Sequence, residues 1–135
     1  MLAAFARFRP AVPMILRAVL GVIFIAHGFR KIEHGMPDFI HTVGHLGFPF
    51  PTAFAWAAAL SEFLGGICVL VGLFTRYAAL AIAIVMAVAI TKVHLHDGLV
   101  GGYEFPLALL AIAAAVLLLG AGPASIDHTV LHRDF

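Results

Sequence analysis

Residues 53–74 read AFAWAAALSEFLGGICVLVGLF, and this run decides the fold. It approaches the ~20 apolar residues needed to cross ~30 Å of hydrocarbon. Its only ionisable side chain besides Cys68 is Glu62. Within a bilayer every backbone polar group must be satisfied inside the segment, so the run reads as a helix. Its apolar residues come in blocks without alternation, which argues against a barrel strand.

Working outward, three more stretches share this character: Met14 to Phe29, Tyr77 to Val93 and Tyr103 to Gly120. The whole chain is 63% hydrophobic and 11% charged, against about 45–50% and about 25% in ordinary globular domains. Mean hydropathy is +1.08. The expectation is an all-α integral membrane four-helix bundle, with residues 1–135 forming a single domain. The first stretch is expected to stay as a span and not to be cleaved as a signal peptide, because Arg17 interrupts its apolar core. With a formal net charge of +1 and no basic run, nucleic acid is excluded as a partner. The one cysteine, Cys68, allows neither an internal disulfide nor self-contained dithiol chemistry, and it reads as a small apolar filler.

The longest connection, Arg30 to Pro51, has internal pattern. Pro37 suits the first turn of a short helix. On it Phe39, Ile40, Val43 and Leu46 share one face, and Asp38, His41 and His45 the other, the signature of a helix lying in the membrane interface. Asp38, His41 and His45 are expected to wet its outer side without holding a metal, although the i, i+4 histidine spacing is one that metals use. The tail from Pro123 to Phe135 is polar and is expected to end outside the bilayer. Arg7, Arg9, Arg76 and Arg133, with Arg17 nearby, fall at one end of the bundle, and Arg30, Lys31 and Lys92 at the other. By the positive-inside rule both termini are expected in the cytoplasm, in a multi-pass protein of the cell's inner (plasma) membrane.

Ionisable groups at membrane depth are costly and by default mark a site. Glu62 is followed by Gly65 and Gly66, small residues that let a neighbouring helix approach, so it is expected inside the bundle, protonated or paired. The bland alternative is a buried polar clamp that fixes helix register. His27 lies near the same depth, within about 5 Å at 1.5 Å per residue, with Lys31 one turn beyond it; it could equally be wetted by headgroup water. Lys92 and His94 point to nearly opposite sides of their helix, so His94 is expected to face inward while Lys92 snorkels. Glu104 opens the fourth span at this level, where favouring the helix dipole is its plainer role. Arg17 is expected to snorkel to headgroups. The candidate site therefore comprises Glu62 and His94 as catalytic residues and His27, Lys31 and Glu104 as binding residues, with no metal ligands assigned. A haem between His27 and His94 has no further support.

Three patterns resemble one family. Arg17-x-x-Leu20-Gly21-x-x-Phe24-x-x-His27-Gly28-x-x-Lys31 is similar to the first span of the DoxX family. Glu62-x-x-Gly65-Gly66, followed by Gly72-Leu73-x-Thr75-Arg76, resembles its second span and turn. His94-x-x-x-Gly98, followed by Gly101-Gly102-Tyr103-Glu104-Phe105-Pro106-Leu107, resembles its most recognisable stretch. The resemblance runs from Arg17 to Gly120 and implies a four-span prokaryotic inner-membrane protein. The namesake is a small subunit of a thiosulfate:quinone oxidoreductase, and some relatives join complexes that handle thiol and oxidative stress. Lys92, His96 and the histidine-rich first loop depart from the family pattern. The resemblance implies a subunit of a redox complex. Its polar cleft would take a quinone headgroup, the one cofactor suggested, or a membrane or extracytoplasmic partner subunit or a second copy of the chain. No self-contained catalytic motif is present. The alternatives are a non-catalytic scaffold and a small transporter; the latter would want polar residues at every depth, and the end near Arg17 offers few.

Overall fold

The computed structural model describes residues 2–135. Helices carry the architecture, and no strand occurs among the described residues. Among the described residues, four helical stretches are long and apolar enough to cross a membrane: Leu2–His45, Pro51–Val71, Thr75–Asp97 and Leu99–Leu119. The chain is thus the four-span, all-α membrane protein its hydropathy predicts. Its α-helices are α1 (Val12–Arg30), α2 (Met36–His45), α3 (Pro51–Val71), α4 (Thr75–Val88), α5 (Glu104–Leu119) and the short α6 (Ile126–Thr129). A tight 3-10 helix, Leu2–Ala11, leads into α1; nothing in its spacing had indicated it.

Small residues set the closest packing. Along α1, Arg17, Leu20, Gly21, Phe24 and Gly28 are buried, and along α3 Glu62, Gly66 and Val69 are buried. A Cβ on Gly28 would stand 2.5 Å from the Phe63 backbone nitrogen, and one on Gly66 2.8 Å from that of Ile25. The two backbones therefore touch, as small-residue faces permit in lipid. Leu20, Phe24, Val69, Ile82, Leu109 and Val116 form the core shared by the four spans.

One end of the bundle carries the chain's first and third connections (the loop end), the other its termini (the terminal end). At the terminal end, α3 stops at Gly72, whose φ of +73° is left-handed, and the Leu73 N–H turns back to the Cys68 carbonyl at 2.8 Å. This is the hydrogen bond of a Schellman stop.

One expectation fails here. Arg17 does not snorkel. It is 3% exposed and donates to the carbonyls of Val69 (2.9 Å), Leu70 (3.2 Å), Ala124 (3.0 and 3.1 Å) and Ala121. The last carbonyls of a helix lack intrahelical donors, and a guanidinium brings five N–H groups. Gathering orphaned acceptors satisfies both partners without reaching for lipid headgroups. The polar tail also contributes to this end of the bundle. It folds back so that Asp127, fully buried, accepts from the N–H groups of Phe74 (2.8 Å) and Thr75 (2.9 Å) and the Thr75 hydroxyl (2.8 Å). Asp127 caps α4 from more than fifty residues away in sequence, serving the donors a local cap would serve. Arg76 and Asp134 close the same end at 2.8 Å.

Candidate functional site

The loop end is built differently. Between α1 and α2 the chain passes through a π-helical turn, Lys31–Gly35, and beyond α4 through another, Ala89–His94. Such widened turns re-aim side chains and are frequent at functional sites. Lys31 opens the first and His94 closes the second. The first-loop helix expected from Pro37 is present as α2, but it is not separated from the first span: α1 runs into it through the π-turn. Its Met36 and Val43 pack on Ala55 and Ala59 of α3. The apolar face of this first-loop helix forms a roof, with Phe39, Val43 and Leu46 lining what lies beneath.

Beneath it is a cavity of about 510 Å³, within the ~300–1,000 Å³ usual for ligand sites. Its walls are apolar, among them Phe24, Phe54, Val85, Met86 and Leu109. His27, Lys31, Glu62, Ser61 and His94 are the ionisable or polar side chains on the lining. Four of the five residues picked out from sequence thus line one cavity, drawn from α1, the two π-turns and α3. Glu104 does not line it. Its side chain is exposed and accepts from the Gly101 N–H at 2.9 Å, which ties down the kinked turn before α5. Lys92 is exposed as well.

Glu62 is 2% exposed and paired with Lys31, 27% exposed. The ammonium donates to both carboxylate oxygens, at 2.6 and 2.7 Å, and stands 4.4 Å from the centroid of the Phe39 ring. Charge-assisted bonds this short are the strong kind, and the ring face stabilises the cation further. The pair neutralises itself, so it presents a dipole to the cavity without a net charge. The histidines are the less committed groups. His27 tilts against Phe105 with ring centroids 6.2 Å apart. His94 has its Nδ1 3.2 Å from Asp97 Oδ2. With Nδ1–H donating to that carboxylate, Nε2 keeps its lone pair for another partner. Asp97 had escaped the sequence reading; the spacing His94-x-x-Asp97 was its only signal. On the outer face of α2, His41 and His45 bring their Nε2 atoms to 3.2 Å. Among the described residues no group of three potential metal ligands gathers there or elsewhere.

The ordered residues behind this cavity, His27 and Lys31 on one span and Glu62 with its glycines on the next, fall within the segment that matches the DoxX family model, residues 12–95. The chain belongs to the DoxX family. The family model ends short of the Gly98–Leu107 stretch. Whole-chain relatives extend further. The chain is 32% identical to "Putative oxidoreductase CatD" of Bacillus subtilis (strain 168) over 117 residues, 87% of this chain and 85% of that protein. It is 32% identical to "Inner membrane protein YphA" of Escherichia coli (strain K12) over 133 residues, 92% of this chain and 94% of that one. No solved structure matches significantly.

Proposed function

We propose that this DoxX-family chain is an inner-membrane subunit of a redox complex and that its cavity receives the headgroup of a lipid-soluble quinone. The observation that carries the reading is one cavity with apolar walls and His27, His94 and the Lys31–Glu62 pair at its loop end. A quinone ring is flat and apolar with carbonyl oxygens at its edges, and hydrogen-bond donors under an apolar roof suit it. His27 or His94 would meet a carbonyl as donor or a hydroxyl as acceptor. The Lys31–Glu62 pair would hold α1 against α3 and polarise the cavity wall. The quinone, when bound, supplies the electron-carrying chemistry; the chain's own residues position it, shield it from water and offer proton acceptors. The name of the Bacillus subtilis relative supports a redox role. The Escherichia coli relative's name supports the inner membrane.

The test is purification in a mild detergent, with identification of co-purifying proteins and extracted quinone. Bound quinone that is lost in His94→Phe while the protein remains folded supports the reading. A protein free of quinone that also fails to bind an added short-chain analogue rejects it. The saturation of Lys31 and Glu62 by each other favours a second reading, a non-catalytic scaffold in which the pair only fixes helix register.

A further inference from the structure

A second, shallower groove of about 360 Å³ lies on the seam between α3 and α4. Leu64, Gly65, Cys68 and Tyr77 line it, and it shares Ser61 and Ala81 with the large cavity. Those two residues border both spaces. Along the seam, a Cβ on Gly65 would lie 3.4 Å from Ile82. Towards the loop end, Ala57 on α3 and Ile84 on α4 are exposed and line the cavity together, so the cavity has a mouth on the side of the bundle. From Ser61 to Cys68 the groove runs about 10 Å along the helix axis at 1.5 Å per residue, towards the terminal end and away from the polar groups.

We infer that this seam is the lateral entrance of the cavity and the bed of its ligand's tail: the ligand is an amphiphile whose apolar chain lies between α3 and α4 while its head sits beneath α2. The inference rests on the headgroup reading above. Lipids in one leaflet hold their heads near the interface and their chains towards the midplane. The cavity's polar groups lie at the loop end and the groove descends from it, so a ligand of that leaflet enters sideways in its resting orientation. A tail gains little by leaving lipid for protein, because lipid chains are as apolar as leucine. The seam therefore acts by letting the tail stay at the bilayer surface of the bundle while the head goes in. A partner's transmembrane helix is a poorer occupant, since helices pack with axes ~8–10 Å apart over broad faces, and this groove is a narrow strip.

The experiment uses the full chain in lipid nanodiscs with two probes, a tail-less quinone analogue and the same headgroup on an alkyl chain ending in a diazirine. Leu64→Trp and, separately, Cys68→Trp, portal variants that lie outside the headgroup cavity, fill the groove just beyond the shared residues. Binding of the tailed probe is expected to fall on the order of tenfold or more, with the tail-less probe little changed. In the unaltered chain, photolysis is expected to label Leu64, Cys68 or Tyr77. That label should disappear when the tail-less analogue is added in excess. If both probes bind but the label falls on α1 or α5, or the portal variants weaken both probes equally, the seam is not the tail's bed. A seam label that the headgroup analogue does not displace marks an ordinary lipid chain and overturns the inference. If neither probe binds the unaltered chain, the headgroup reading itself fails, a result distinct from the others.

Discussion

At the residue scale, Glu62 is the group that packing alone justifies least. Breaking a buried ion pair usually costs about 3–5 kcal/mol, because the surviving charge is left alone. Lys31 is 27% exposed and keeps the Phe39 ring, so part of that cost is relieved. Glu62→Gln, which retains a carbonyl acceptor, is expected to lower stability by less than about 3 kcal/mol and to leave the bundle folded in detergent. It should nonetheless abolish quinone-linked electron transfer in the complex. Lys31→Met should then add little to Glu62→Gln, a non-additivity that a double-mutant cycle of thermal unfolding would read directly. A folded and fully active Glu62→Gln protein would leave the scaffold reading in place. Asp134, outside the spans, behaves differently. Its hydrogen bond from Arg76 holds its carboxyl below the usual aspartate range. A folded-state value lower than the unfolded one contributes stability at neutral pH, lost as pH falls through the folded value. Both partners are well exposed, so the contribution is expected to be no more than about 1 kcal/mol. Asp134→Asn should lower stability at neutral pH by no more than about 1 kcal/mol, flatten the acid limb of a stability–pH curve by the same amount and leave stability at low pH almost unchanged.

At the scale of elements, what was legible in the sequence and what was not divide along a physical line. Hydropathy showed the spans because lipid imposes one requirement on every residue that faces it. Glu62 was placed inside by Gly65 and Gly66, which are local to it. Which cation would meet Glu62 was not legible, since Lys31, His27 and His94 all lie near its depth and only the order of helices around the bundle chooses between them. The π-turns at Lys31 and His94 carry no composition signal. Arg17 was misread because its acceptors belong to the end of α3 and to the tail, neither adjacent in sequence. Asp127 caps α4 across the same gap, and a polar tail gives no hint of that. The fold-back makes a strong prediction. Asp127→Ala removes a helix cap, worth about 0.5–2 kcal/mol, and strands buried donors at about 1–3 kcal/mol. A loss of roughly 2–4 kcal/mol is expected in detergent unfolding, with the cavity at the far end still able to bind its ligand. Asp127→Asn, which keeps one acceptor oxygen, should lose less. An effect within about 0.5 kcal/mol, the range of ordinary surface substitutions, would show that the tail does not hold this position in the membrane.

At the scale of the whole molecule, the two ends of the bundle do opposite jobs, and their orientation decides what the protein can meet. The terminal end is filled. Val69 and Thr75 are fully buried there, Gly72 has room for no side chain, since a Cβ would come 2.8 Å from the Arg17 guanidinium, and the tail folds over the opening. The cavity is therefore blind towards that end, which weighs against a through-path and with it the transporter alternative. The side that the loop end faces follows from the cations once the engaged ones are discounted. Arg17 is spent on carbonyls and Lys31 on Glu62. Arg76 is likewise held by Asp134 and the Leu117 carbonyl, which leaves Arg7, Arg9 and Arg133 at the terminal end against Arg30 and Lys92 at the loop end. Positive residues in short loops stay in the cytoplasm, so the termini are expected there and the cavity roof on the far side. Four spans put both termini on one side whichever it is, so a fusion at either terminus reports the same fact. A phosphatase fused after Phe135 should be inactive and a fluorescent protein there bright, while a phosphatase inserted near Thr42 should be active. The opposite pattern would place the roof and its histidines in the cytoplasm. An extracytoplasmic partner would then be ruled out, although the cavity and the α3–α4 seam would keep their relation to the bilayer, because both are defined by the bundle and not by its orientation.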